Sequence, residues 1–195
     1  MASGRHTVSG SRFGASGLPK TVALKDGRIA IISFISEKDP VRELNGFINS
    51  LVREGAKIIY DRKVTMEEER EWKKAKLAEL RKGESFLLVA RVDGKLAGTS
   101  EARRGRFKEK DNVSLGLAIA GPYRGIGLGE ALLRANIGLA KRMMRPRNIF
   151  LSVLASNKPA KSLYRKLGFR KFASFPGWVR HGGEYVDHEF LILRL

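Results

Sequence analysis

A glycine-dense turn, Ala120-Gly121-Pro122-Tyr123-Arg124-Gly125-Ile126-Gly127-Leu128-Gly129, joins an apolar run over 113–120 to a helical stripe of Leu128, Leu132, Ala135, Leu139 and Met143. The run is short enough for a buried strand, and the stripe has the spacing of an amphipathic helix. Glycines let backbone N–H groups approach a ligand, and a helix start adds a positive dipole, so this turn suits a diphosphate. The other reading is a strand–helix turn that merely packs tightly. Two phosphate motifs fail. Gly129 is followed by Glu130 rather than by Lys and Ser or Thr. The glycines at 125, 127 and 129 are not spaced G-x-G-x-x-G, and no acid occurs between Ala131 and Gly183. That stretch is instead rich in Lys and Arg, which concentrates an anion-attracting bias beside the turn.

The rest of the chain places this turn in a mixed order of elements. Ordered structure is expected to begin near Arg28, after a flexible basic tail over residues 1–20. A β-branched run from Ile29 predicts a strand. Asp39-Pro40 predicts a helix start with Asp39 as the cap, and Gly55 ends that helix. Thr65 and Glu68 form a capping box for a second helix that stops at Gly83. Strands are expected over 85–92 and 95–103, joined by a tight Asp93-Gly94 turn. After the glycine turn and its helix come a buried strand over 149–154, a short helix over 159–167 ending at Gly168, and a closing strand over 185–193. The order β-α-α-β-β-β-α-β-α-β, ending in a strand or hairpin, predicts one α/β (α+β) domain with a mixed sheet over 21–195.

Composition narrows the chemistry. The chain of 195 residues has no Cys, which removes disulfides, thiolate metal sites and a cysteine nucleophile, and fits a reducing, cytoplasmic compartment. Three His add no metal-ligand pattern, so no metal is expected. No apolar run reaches membrane-spanning length, and the first residues lack an apolar signal centre. A net charge of +18 attracts polyanions, among them nucleic acid or a phosphorylated ligand. No basic strand interleaved with aromatics supports an RNA platform.

A second constellation, Ser156-Asn157-Lys158-Pro159-Ala160-Lys161-Ser162-Leu163-Tyr164-Arg165-Lys166-Leu167-Gly168-Phe169, follows the 149–154 strand. Asn157 reads as an N-cap, and Tyr164 as either a packed aromatic or a proton donor facing a cleft. Together with Arg124-Gly125-Ile126-Gly127-Leu128-Gly129 it resembles the GNAT superfamily of acetyl-CoA-dependent N-acyltransferases. That family has a Q/R-x-x-G-x-G/A signature followed by such a segment.

The resemblance implies a central, mostly antiparallel sheet flanked by helices, with a splayed cleft between the fourth and fifth strands. It implies acetyl-CoA as co-substrate. The strand residues Leu117, Ala118 and Ile119 would meet the pantetheine arm. Arg124, Gly125, Ile126, Gly127, Leu128, Gly129 and Glu130 would hold the pyrophosphate, and Asn157 would contact the cofactor or an ordered water. Tyr164 would protonate the departing thiolate after direct attack by the amine. The family's usual carboxylate base positions are occupied here by Ser114 and Ser152. Glu101 is the expected substitute, with a water chain as its competitor and His181 and His188 as further bases. The expected acceptor is a protein N-terminus or lysine, with a small amine or amino acid as the alternative, and the expected state is monomer or homodimer. Residues 39–83 would form the acceptor wall. A non-catalytic nucleic-acid-binding module is the reading from another class.

Overall fold

A computed structural model describes residues 17–195. Of the expected tail, residues 1–16 lie outside the described part. Ordered structure begins earlier than Arg28: Lys20–Ala23 is β1, at the sheet edge. Only Val22 of its four residues is even half-buried, so no apolar period announces it. β2 (Ile29–Phe34), β3 (Ser85–Val92), β4 (Lys95–Arg104), β5 (Asn112–Ile119), β6 (Asn148–Leu154), β7 (Arg170–His181) and β8 (Glu184–Arg194) complete one sheet in the order β1-β2-β3-β4-β5-β6-β8-β7. Every neighbouring pair is antiparallel except β5 and β6.

Helices cover both faces. α1 (Val41–Arg53) and α2 (Met66–Lys82) pack on one, burying Leu44, Phe47, Leu51 and Leu77 against Leu87, Val89 and Leu96. α3 (Leu128–Met144) and α4 (Lys158–Lys166) lie on the other, over Leu88, Ala90, Val113 and Ile149. Leu132 and Leu133 are fully buried there, each worth roughly 1.5–3 kcal/mol of apolar transfer. The buried stripe of α3 is wider than expected. Leu133, Asn136, Ala140 and Met144 are inside, while Ala135 and Met143 sit at the margin.

Local signals explain most boundaries. Thr65 accepts from the Glu68 amide while Glu68 accepts from the Thr65 amide, and Gly83 ends α2 in the left-handed region at φ 72. Asp93 and Gly94, at φ 50 and 74, make the tight β3–β4 hairpin. Asp39 does not cap α1. Its carboxylate accepts from the Ser36 amide and hydroxyl and pairs with Arg91 at 2.8 Å, because a guanidinium from β3 outcompetes a neutral amide. Pro40 takes the cap position with no side-chain bond. The closing strand is β8, and β7 precedes it as its hairpin partner.

One irregularity of the sheet positions everything that follows. β5 pairs with β6 only at Asn112, Val113 and Ser114. Beyond Ser114 the strands part, while β5 stays paired to β4 as far as Ile119. In the expected order, which lacks β1, these are the fourth and fifth strands, where the cleft is expected. The sheet therefore opens between its two helical layers.

Candidate active site

The glycine turn lies at the C-terminal end of the open stretch of β5. Gly125 and Gly127 adopt φ 77 and 92, which disfavour any side chain. The amides of Gly125, Ile126, Gly127, Leu128, Gly129 and Glu130 donate to no acceptor among the described residues. Such a row of unpaired amides at a helix start is a geometry that favours an anion. A Cβ on Gly129 would lie 3.4 Å from Leu163, 3.5 Å from Leu117 and 3.6 Å from Ile119. The turn, α4 and β5 thus converge on one point, and this convergence fits a diphosphate whose attached arm follows the open edge at Leu117, Ala118 and Ile119.

Two of the expected residues present no free side-chain charge to this row. Arg124 turns its guanidinium away, onto the Ile119 carbonyl and the Glu54 carboxylate, and its amide is used by Gly121. Glu130 would repel a phosphate if its charge stood alone. Lys166 at 2.6 Å and Arg134 at 2.9 Å neutralise it and hold its carboxyl below the usual range. Lys25 was invisible to sequence reasoning because it follows the unpredicted β1. Its amide donates to the Ile126 carbonyl at 3.0 Å and its stem lies 3.7 Å from a Cβ built on Gly127, so its charge borders the row of amides.

α4 supplies the second constellation. The Asn157 side chain accepts from the Ala160 amide at 3.3 Å, a helix cap. Tyr164 is buried, packs edge-on against Phe169, and its hydroxyl has no partner among the described residues. Burial pushes that hydroxyl up to about 12, so it keeps its proton at neutral pH.

The opposite face of the opening is built from side chains. Ser114 and Ser152, the empty carboxylate positions, both lie on this face, opposite the layer that holds Ile149 and Leu151. Gly116, next along β5, has its carbonyl fixed by Ser100, which in turn accepts from buried Asn136 at 2.7 Å. Glu101 pairs with Gly116 across the strands, yet its Oε1 is already engaged by Lys76 at 2.6 Å and Arg103 at 3.1 Å. Glu79 extends this network to Ser85 and Arg103. Glu101 is thereby held at Oε1 by two cations.

Glu69 of α2 differs. It is 5% exposed, and no hydrogen bond or ion pair reaches its carboxylate among the described residues. Burial alone lifts its carboxyl to about 7. Nothing in its sequence context, three successive glutamates in a helix's first turns, distinguished it from a solvated face.

Across the opening, β7 and β8 present an aromatic wall. Phe190 stacks with Phe175 at 5.4 Å and His188 at 5.0 Å, and Trp178 packs on Phe175. Burial lowers the His188 imidazole, while His181 lies at the far hairpin end. Lys57, from the α1–α2 loop, donates to the Ser156 carbonyl at 2.7 Å and ties the two sides together. A cavity of ≈ 1010 Å³, lined by Ser114, Phe150, Phe172, Glu79 and Arg103 among others, continues along this face. Among the described residues no group of three His, Cys, Asp or Glu could hold a metal ion, and no helix is long and apolar enough to cross a membrane.

Comparison with known proteins matches this geometry. An N-alpha-acetyltransferase of Sulfurisphaera tokodaii is 32% identical over 101 residues, 47% of this chain and 60% of that protein. The L-amino acid N-acetyltransferase AaaT of Escherichia coli is 28% identical over 106 residues, 53% of this chain and 65% of its own length. The chain thus spans less than two thirds of these relatives. In the solved structure of yncA from Salmonella typhimurium with its cofactor acetyl-CoA, the fold is shared at a TM-score of 0.74 and 24% identity, over 85% of this chain and 94% of that one. The family model for the GNAT acetyltransferases matches residues 52–169, more than half of the sequence, and the chain belongs to that family.

Proposed function

We propose that this protein transfers the acetyl group of acetyl-CoA directly to the α-amine of a polypeptide. The observation that carries the reading is the unpaired amide row over 125–130, set against the open edge of β5. In this reading those amides and Lys25 hold the pyrophosphate. Leu117, Ala118 and Ile119 direct the arm along β5 toward the opening. The amine enters from the α1–α2 face and its lone pair attacks the thioester carbon. The C–N bond forms, the C–S bond breaks, and Tyr164 gives its proton to the leaving sulfur from the other face. The phenolic proton is restored from solvent. No acyl-enzyme is required, consistent with a chain free of Cys.

The polypeptide acceptor is supported by the cavity that prolongs the acceptor face beyond the opening, which gives residues following the amine somewhere to lie. It is also supported by the N-alpha-acetyltransferase relative. The relative named for L-amino acids supports a smaller α-amine at the same centre. Calorimetry with acetyl-CoA, followed by thiol release with tetrapeptides bearing free or blocked α-amines and with free amino acids, tests the reading. Binding and turnover confined to free α-amine peptides are expected. Turnover of amino acids alone would replace the acceptor, and absence of acetyl-CoA binding would overturn the assignment.

A further inference from the structure

Of the carboxylate positions expected to take the proton that an acceptor ammonium must shed, none is free to do so, and His188 on β8 is the competing base. Ser114 and Ser152 are not bases at neutral pH, and Glu101 is bound by Lys76 and Arg103. We propose that Glu69 is the group that receives this proton, in a pocket shared with Tyr60 on the α2 side of the opening between β5 and β6. The proposal rests on the acetyltransferase reading above.

Register places Glu69 there. α2 packs on β3, and its C-terminal half reaches across to β4, where Lys76 meets Glu101 and, one turn on, Glu79 meets Arg103. Glu69, Lys73 and Lys76 are all buried and share the inward face. Seven residues of helix before Lys76 span about 10 Å. The same length of strand is about three residues, at 3.3 Å each, which leads from Glu101 back to Gly98 and Thr99. Their partners on β5 are Ile119 and Ala118, on the stretch that β6 has left. Continued toward its N-terminus, the inward face of α2 leads toward that stretch, on the layer opposite the one that holds Tyr164. Tyr60, in the α1–α2 loop, feels the charges of both Glu69 and Glu101, which brings the loop to the same place. The start of α2 is held there by Asn45 and Asn49, which donate to the carbonyls of Val64 and Thr65.

A carboxylate drawn largely out of water with no protein partner among the described residues is costly, and a cationic ligand would offset that cost. A cationic amine does so. In the step proposed, Glu69 takes one proton from R–NH₃⁺, and the freed lone pair forms the C–N bond as the thiolate departs. The second proton leaves the nitrogen as the amide forms, and goes to solvent while Tyr164 protonates the sulfur. A carboxyl lifted by burial to about 7 is matched to this work. The titratable group tied to it is Tyr60 from the loop; Lys73 is engaged by the carbonyls of Glu37 and Asp39, Lys76 by Glu101 and Glu79, and Glu68 by Arg62.

The test uses the full chain, acetyl-CoA and a tetra-alanine peptide with a free α-amine. Glu69→Gln is expected to lower kcat about a hundredfold while acetyl-CoA affinity stays unchanged. It should also abolish a break near pH 7 in the kcat/KM profile. Wild-type rates with the break intact in Glu69→Gln, or loss of that break in His188→Asn instead, would overturn the proposal while leaving the enzyme reading in place. A carboxyl-carbon NMR titration, assigned by the signal that Glu69→Gln removes, decides even if no peptide is turned over. A midpoint near neutral that falls on adding alaninamide is expected. A midpoint in the ordinary carboxylate range, or one indifferent to alaninamide, would sink it.

Discussion

The two mouths of the opening between β5 and β6 are made of different material. On the α3–α4 side the site is main chain: a row of amides at glycines with φ near 80–90, flanked by strand edges. On the α1–α2 side it is side chains: Glu69 on α2, Glu101 on β4, Ser152 on β6, and Phe190 and His188 on β8. The first mouth suits a ligand part that never varies, because amides offer fixed geometry and no identity to alter. The second can be rewritten one residue at a time. A fold with one invariant donor and many acceptors needs both kinds of wall.

If the first mouth works through bare backbone, filling it must be disastrous. Gly127→Glu places a Cβ at φ 92, adds negative charge in front of the amides, and offers Lys25 a competing partner. Acetyl-CoA affinity should fall by at least about a thousandfold, or ~4 kcal/mol. Calorimetry beside a thermal melt reads it, with Gly127→Ala as the control that shares the backbone strain but not the charge. Retained binding in the glutamate variant would break the comparison outright.

Tyr164 sharpens the division, since it is a side chain on the backbone-built side. Tyr164→Phe removes a hydroxyl that has no partner among the described residues, so neither stability nor acetyl-CoA affinity should move. Turnover should drop about a hundredfold, as expected for loss of a positioned acid. Equal turnover in steady-state thiol release would return Tyr164 to a packing role, alongside Phe169.

The same asymmetry decides what could be read from the sequence. The amide row is contiguous, so its glycines declare it, and the strand before and helix after it follow from apolar period. Capping at Thr65 and the Asp93-Gly94 turn are likewise local. The acceptor mouth is assembled from residues 69, 101, 152 and 188, brought together only by sheet order. Glu101 was the visible candidate, but its meaning depended on Lys76, twenty-five residues away. Glu69 looked like any acid in the first turns of a polar helix, and only burial without a partner marks it. Lys25 was hidden by an edge strand too short to show a pattern, and Asp39 kept the composition of a cap while bonding elsewhere.

The smallest expected effect is a stability difference with a definite sign. Main-chain amides do not titrate, so only the side-chain mouth can make folding depend on pH near neutrality. Glu69 binds its proton more tightly folded, at about 7, than at its ordinary value of 4.5. The folded state is therefore favoured by this group below the ordinary value. That advantage drains away as pH rises toward 7, and above it the buried charge is a constant penalty. With water still reaching the carboxyl, the penalty is on the order of 2 kcal/mol. Glu69→Gln should match the wild type in stability near pH 4 and exceed it by about that amount at pH 8, in denaturant unfolding without ligand. A variant no more stable at pH 8 would mean that the carboxylate is solvated, and that the second mouth is as insensitive to protons as the first.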